Sequence, residues 1–209
     1  PAWNDENLRA IAEQIRSGLF LAHVRASTGT STARQNCHPF RHGRWLFMHN
    51  GQIGGYGTIR RQLEMQIAPA LYRHRFGTTD SEVMFCLALS QGLEDDAVTA
   101  LQRMVGGIEA SMAEAEIEAP LRISLAICDG QRLIALRYSS DRHSPSMYLG
   151  LGGEALAEAG LNDVGDGPNV LVLSEPLDDV SDHWRKVEDS SILIANQGGI
   201  EAQAFAPER

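Results

Sequence analysis

Through roughly the first 120 residues the apolar positions recur at helical spacing; after that they come as short continuous runs bounded by turn residues. Asn4 or Asp5 can cap a helix carrying Leu8, Ile11, Ala12 and Ile15 on one face, with Gly18 as its stop. Residues 19–24 are apolar and short enough for a buried strand. Residues 29–43 are polar and irregular, with Pro39 among them, and predict a long loop. Residues 44–49 predict a second short strand that ends at Asn50-Gly51. A helix is expected from Tyr56 to about Phe76, with Ile59, Leu63 and Ile67 on one face and a break at Pro69. Residues 81–91 and 95–115 predict two more helices.

The second half changes character. Residues 122–128 and 132–138 are apolar runs joined through Asp129-Gly130, a strong hairpin signal. Residues 146–149, 169–173 and 191–196 predict further strands, and Gln197-Gly198-Gly199 turns the last of them into residues 200–205. Helices precede strands, and hairpins rather than crossovers link the strands. That order predicts one α+β domain over residues 1–209 with antiparallel sheets, and argues against a doubly wound parallel sheet. Residues 155–167 are small and acidic and read as a surface excursion.

Composition narrows the function classes. The 209 residues carry a formal net charge of -9, and arginines are scattered rather than clustered, which argues against a nucleic-acid partner. No apolar run approaches the length of a membrane span and no signal peptide is present. The three cysteines, Cys37, Cys86 and Cys128, are odd in number and far apart. Cys86 and Cys128 sit in apolar runs and read as small buried hydrophobes, so a reducing, cytoplasmic setting is expected. The chain opens on Pro1-Ala2-Trp3, just before a helix and without an initiating Met, so a preceding segment is expected.

Three segments carry candidate chemistry, each with a plainer reading beside it. Asn50-Gly51 is first a turn dipeptide; it can also supply a side-chain amide and a backbone N–H that converge on a developing oxyanion. Arg25 follows an apolar run and can be an ordinary surface arginine, or a guanidinium fork for a carboxylate with Thr28 adding a hydroxyl. Thr79-x-x-Glu82 fits a capping box for the helix that follows, which leaves the Asp80 carboxylate available for an ammonium. Cys37, His38, His42 and His49 invite a zinc reading. Adjacent Cys37 and His38 rarely aim at one ion, and no Cys-x-x-Cys or His-Glu-x-x-His pattern occurs, so no metal is expected. Cys37 as a nucleophile with His38 or His49 as base is a further arrangement to test. His23 reads as ordering a strand end through hydrogen bonds.

The order of these segments resembles one family. His23-x-Arg25-x-x-Thr28, then Asn36-x-His38-Pro39, then His49-Asn50-Gly51, then Thr79-Asp80-Ser81-Glu82 is similar to the class II glutamine amidotransferase domain, a branch of the N-terminal nucleophile hydrolases. Ser174-Glu175-Pro176, followed by Trp184 and a last hairpin, resembles the small stand-alone members that act on γ-glutamyl compounds. The resemblance implies a four-layer αββα sandwich and an N-terminal cysteine nucleophile whose own α-amine is the base. It implies Asn50 and Gly51 as the oxyanion hole, Arg25 with Thr28 on the substrate α-carboxylate, and Asp80 on its α-ammonium. The substrate would be glutamine or a γ-glutamyl compound, the chemistry needs no cofactor, and a separate protein could accept the ammonia. The chain departs from the pattern at residue 1, which is Pro, and has no cysteine before Cys37; the alternative is a non-catalytic subunit that keeps the glutamyl pocket. No oligomeric state follows from the sequence.

Overall fold

The computed structural model describes residues 4–24, 33–151, 170–196 and 199–208. Five α-helices and nine strands are seen among them: α1 (Glu6–Gln14), β1 (Phe40–His42), β2 (Trp45–Ile53), α2 (Tyr56–Met65), α3 (Pro69–Tyr72), α4 (Asp80–Ser90), α5 (Ala97–Glu114), β3 (Leu121–Cys128), β4 (Leu133–Ser139), β5 (Tyr148–Leu151), β6 (Val170–Leu173), β7 (Trp184–Lys186), β8 (Ser191–Asn196) and β9 (Gly199–Ala204).

All strand pairs are antiparallel. The larger sheet has the order β1-β2-β3-β4-β8-β9, and the smaller one β6-β5-β7. Side chains alternate across a strand, so each strand of the larger sheet feeds two cores. Trp45, Phe47, Ile123, Leu125, Ile134, Leu136 and Ile192 point to a core shared with α2, α4 and α5. Their neighbours Ala135 and Leu193 point the other way and meet Met147, Leu149 and Val187 between the sheets. The fold is thus α+β with two antiparallel sheets, and the described residues supply a helical layer and both sheets of the αββα sandwich. Arg137 shares the inter-sheet face with Ala135, and burial obliges its guanidinium to find acceptors. It donates to the carbonyls of Pro145 at 2.9 Å, Ser144 at 3.2 Å and Val187, tying β4 to the loops around the smaller sheet.

The helices follow their sequence signals. Asp5, Thr79 and Asp96 cap α1, α4 and α5 through side-chain oxygens, and Pro69 opens α3 after the break in the predicted 56–76 helix. α4 is apolar on nearly every side because it lies between the larger sheet and its helical neighbours, with residues 81–88 all buried. No helix among the described residues is long and apolar enough to cross a membrane.

Four expectations are corrected. Residues 19–24 form no strand; Phe20 is 79% and Val24 92% exposed. A strand needs a neighbour for its N–H and C=O groups, and no strand lies beside this run among the described residues. α1 ends at Gln14, before Gly18, because Ile15 is already extended, and its apolar face is exposed. The predicted loop over 29–43 contains β1, which is only three residues long, so its period is illegible; residues 25–32 lie outside the described set. The strand after Arg44 does not stop at Asn50-Gly51 but runs on to Ile53, and the chain turns at Gly54-Gly55. The short strand β7 had no sequence signal. Residues 155–167 and the Gln197-Gly198 turn lie outside the described residues.

Candidate functional site

The centre of the site is the second half of β2. Asn50 pairs with Ser124 and Gly51 with Ile123 in the β2–β3 ladder, so the dipeptide is strand rather than turn. Gly51 is needed for close approach. A Cβ there would lie 2.0 Å from the Arg122 carbonyl oxygen and 2.7 Å from Nε2 of His49, and the residue holds φ at +145°. Alternation turns His49 to the helical side with Trp45 and Phe47, where it is buried, and turns Asn50 to the opposite face, where it is exposed.

Beyond Phe47 no described strand pairs with β2 on the β1 side. The N–H of Ile53 emerges at that open edge and donates to Oδ2 of Asp80 at 3.0 Å. The N–H groups of residues two apart in a strand share an edge, so Gly51 presents its N–H to the side that Asp80 occupies. The three-residue step from Asn50 to Ile53 spans about 10 Å of strand.

α4 delivers Asp80. Thr79 caps the helix, its hydroxyl accepting from the Glu82 N–H at 3.2 Å. The Glu82 side chain does not close the expected box; it reaches further back to accept from the N–H groups of Phe76 at 2.8 Å and Gly77 at 2.7 Å. Asp80 is therefore not left free, as the capping reading had it. Its Oδ1 accepts from the Ser81 N–H at 2.8 Å while Oδ2 holds Ile53, so the carboxylate bolts the helix start to the strand end. A carboxylate has about four acceptor positions, so capacity remains for a ligand cation.

Two further contacts fix this junction; the sequence reading gave Asn36 no role and weighed His49 only as a metal ligand or a base. Buried Asn36 accepts from the Thr78 N–H at 2.9 Å and donates to the Thr78 hydroxyl at 3.2 Å. Gly77 lets that loop approach: a Cβ would meet the Asn36 amide oxygen at 2.5 Å. His49 lies 2.9 Å from the Ser81 hydroxyl through Nδ1 and 3.3 Å from the Arg122 carbonyl through Nε2. Burial pulls its pKa below the ordinary histidine value; the Asp80 charge and the Arg122 carbonyl oppose that, and His23 adds to it. The available signal was parity, since His49 stands in phase with Trp45 and Phe47.

Of the five residues singled out from the sequence, Asn50, Gly51 and Asp80 gather around the end of β2, while Arg25 and Thr28 lie outside the described residues. The histidines go separate ways. His38 meets His23, with ring centroids 4.2 Å apart, and His42 meets His74 at 5.0 Å. Among the described residues no group of His, Cys, Asp and Glu could hold a metal ion. Cys37 is exposed, its thiol 3.6 Å from the Ala33 carbonyl, and both ring nitrogens of His49 face other partners, so His49 is not its base. Cys86 and Cys128 are buried, and burial pushes the Cys86 thiol up to about 12. A concavity of about 380 Å³ lined by Arg34, Arg41, His42, His74, Phe76 and neighbours lies apart from Asn50, Gly51 and Asp80.

Known proteins resemble this chain in sequence and fold. The family of class-II glutamine amidotransferases matches residues 6–209. A probable glutamine amidotransferase of Saccharomyces cerevisiae, DUG3, is 32% identical over 226 residues, which covers 96% of this chain and 63% of that protein. The chain thus spans less than two thirds of that relative. The solved structure of a glutamine aminotransferase class-II domain protein from Silicibacter pomeroyi superposes with a TM-score of 0.83 at 42% identity, over 100% of this chain and 84% of the other. Glutamine phosphoribosylpyrophosphate amidotransferase from B. subtilis shares the fold at a TM-score of 0.56 and 21% identity, over 89% of this chain and 34% of that one.

Proposed function

This chain belongs to the class-II glutamine amidotransferases, and from that premise we propose that it serves hydrolysis of a γ-glutamyl amide, glutamine or a γ-glutamyl conjugate. A cysteine thiolate at a chain N-terminus attacks the side-chain carbonyl, and its own α-amine takes the thiol proton. The tetrahedral oxyanion is held by the Asn50 amide and the Gly51 N–H. Collapse expels ammonia or an amine and leaves a γ-glutamyl thioester, which water opens to glutamate. Arg25 with Thr28 holds the substrate α-carboxylate, and Asp80 holds its α-ammonium, so that the carbonyl is oriented before attack. Cys37, Cys86 and Cys128 are internal, and the nitrogen of an internal cysteine is a peptide amide rather than a basic α-amine, so none of the three fills this role. The amine is released to solvent or passed to a separate acceptor protein, and the setting is cytoplasmic.

The observation that carries the reading is the hydrogen bond from Ile53 to Asp80. It supports a single hollow by bringing an anion to the same strand edge as Gly51.

The test is glutamate release from glutamine by the native full-length protein, before and after alkylation with iodoacetamide. Release that alkylation abolishes, with the label mapped to an N-terminal cysteine, supports the proposal. Release that survives alkylation overturns the thiol mechanism. Glutamine binding without release, in protein lacking a terminal cysteine, would instead identify a non-catalytic glutamyl-binding subunit.

A further inference from the structure

We propose that His49 is a positioning residue for the ammonium-binding carboxylate: its ring keeps the Ser81 hydroxyl turned away from Asp80, so that Asp80 retains its acceptor capacity for the ligand. The inference rests on the glutamyl reading of Asp80 given above. Ser81 Oγ lies 2.9 Å from Nδ1 of His49 and 3.4 Å from Oδ1 of Asp80, and it has one proton to give. The Arg122 carbonyl facing Nε2 can only accept, so Nε2 carries the ring hydrogen and Nδ1 of the neutral ring offers a lone pair. Ser81 therefore donates to His49. His49 and Ser81 are 3% and 6% exposed, so water hardly competes for that proton.

Protonation reverses the chain of donors. Nδ1–H then donates to Ser81 Oγ, and the hydroxyl proton must turn to Oδ1 of Asp80, where it competes with an incoming ammonium. The groups that face the ring are Asp80 from α4, His23 from the segment before β1, and the Arg122 carbonyl from β3. Burial outweighs the Asp80 charge, and the ring stays neutral around pH 7.

The experiment is a double-mutant cycle on glutamate affinity, measured by calorimetry with the full-length protein at neutral pH. His49→Leu removes the acceptor without adding charge and should weaken binding about ten-fold. His49→Asn, which restores an acceptor oxygen, should recover most of that loss. His49→Leu combined with Ser81→Ala should bind as Ser81→Ala alone does, because no hydroxyl remains to turn. Additive losses in the double variant overturn the inference. Nitrogen-15 NMR of the His49 ring in the wild-type protein provides a check that needs no variant to fold. The Nε2–H tautomer supports the arrangement, and the Nδ1–H tautomer overturns it. Failure of the wild-type protein to bind glutamate would overturn the glutamyl reading itself; binding with additive losses sinks only the role given to His49.

Discussion

Asn50-Gly51 and Asp129-Gly130 are near-synonyms in sequence and opposites in structure. Both follow apolar runs, and both carry the same hairpin signal. At Asp129 the chain reverses. The Asp129 carboxylate accepts from the N–H groups of Gln131 and Arg132, each at 3.0 Å, and Gly130 takes φ of +87° in open space. At Asn50 the chain goes straight on, because three further ladder positions, Gly51 to Ile53, are already claimed by β3. One glycine serves the backbone's freedom to turn. The other serves the absence of a side chain where a carbonyl and an imidazole close in. A dipeptide states what the backbone can do; long-range pairing decides which of those options is used.

The sharpest way to break the comparison is to give both glycines a methyl group. Gly51→Ala places a Cβ 2.0 Å from a backbone carbonyl and strains a positive φ. It should destabilise the fold by about 3–5 kcal/mol in urea titrations. Gly130→Ala meets nothing within 4 Å and should cost only about 1 kcal/mol, the price of its φ. Equal losses at the two sites would mean that close approach is not what Gly51 provides.

Asn50→Ala sharpens the functional side of the same contrast. Asn50 is exposed, so stability should move little, while glutamate release by the full-length protein should fall about 10²–10³-fold in kcat. A loss confined to KM would remove Asn50 from the oxyanion hole.

Acid separates the two dipeptides by their neighbours. Burial lowers the pKa of His49, so the unfolded chain takes the proton first as pH drops below the ordinary histidine value of about 6.5. The contribution of the neutral ring to stability is complete above that value. It declines as pH falls toward the folded-state pKa, at no more than about 1.4 kcal/mol per pH unit. Burial pushes the Asp129 carboxyl up, but the N–H groups of Arg132 and Gln131 and the Arg132 side chain outweigh it, and its pKa ends below the ordinary value. Its contribution is present above the ordinary aspartate range and lost only as pH falls through the lower folded value. Thermal melts across pH should show the upper window vanish in His49→Asn and the lower persist.

Much of this was legible in the chain. Ile59, Leu63 and the caps Asp5 and Thr79 specify helices through local spacing alone, and the β3–β4 hairpin needed only its two apolar runs and Asp129-Gly130. β1 and β7 were illegible because three residues carry no period. Residues 19–24 looked like a strand because apolarity was visible and the lack of a neighbour was not. At the site, the order of motifs pointed to Asn50, Gly51 and Asp80, but the contacts that hold them did not show. The His49–Ser81 bond joins residues 32 apart, and the Asn36–Thr78 pair residues 42 apart. Nothing local announces such a meeting.

The smallest expected effect puts the comparison to its strictest test. Asp129→Asn would write the dipeptide of the strand, Asn-Gly, into the turn. The side-chain oxygen that accepts from the Gln131 and Arg132 N–H groups survives the change, while the second oxygen, which accepts from the Arg132 guanidinium at 3.0 Å, becomes an NH2 group that neither accepts nor carries charge. Because the Arg132 side chain is 36% exposed, solvent screens that pair, and the loss should stay under about 1 kcal/mol. Hydrogen exchange should show the β3–β4 register intact, with Cys128 still opposite Leu133. The same two letters would then turn the chain at one place and run straight through at another, with the flanking ladders as the only difference. A shifted register in this variant would mean that the aspartate itself, rather than the pairing of the strands around it, makes the turn.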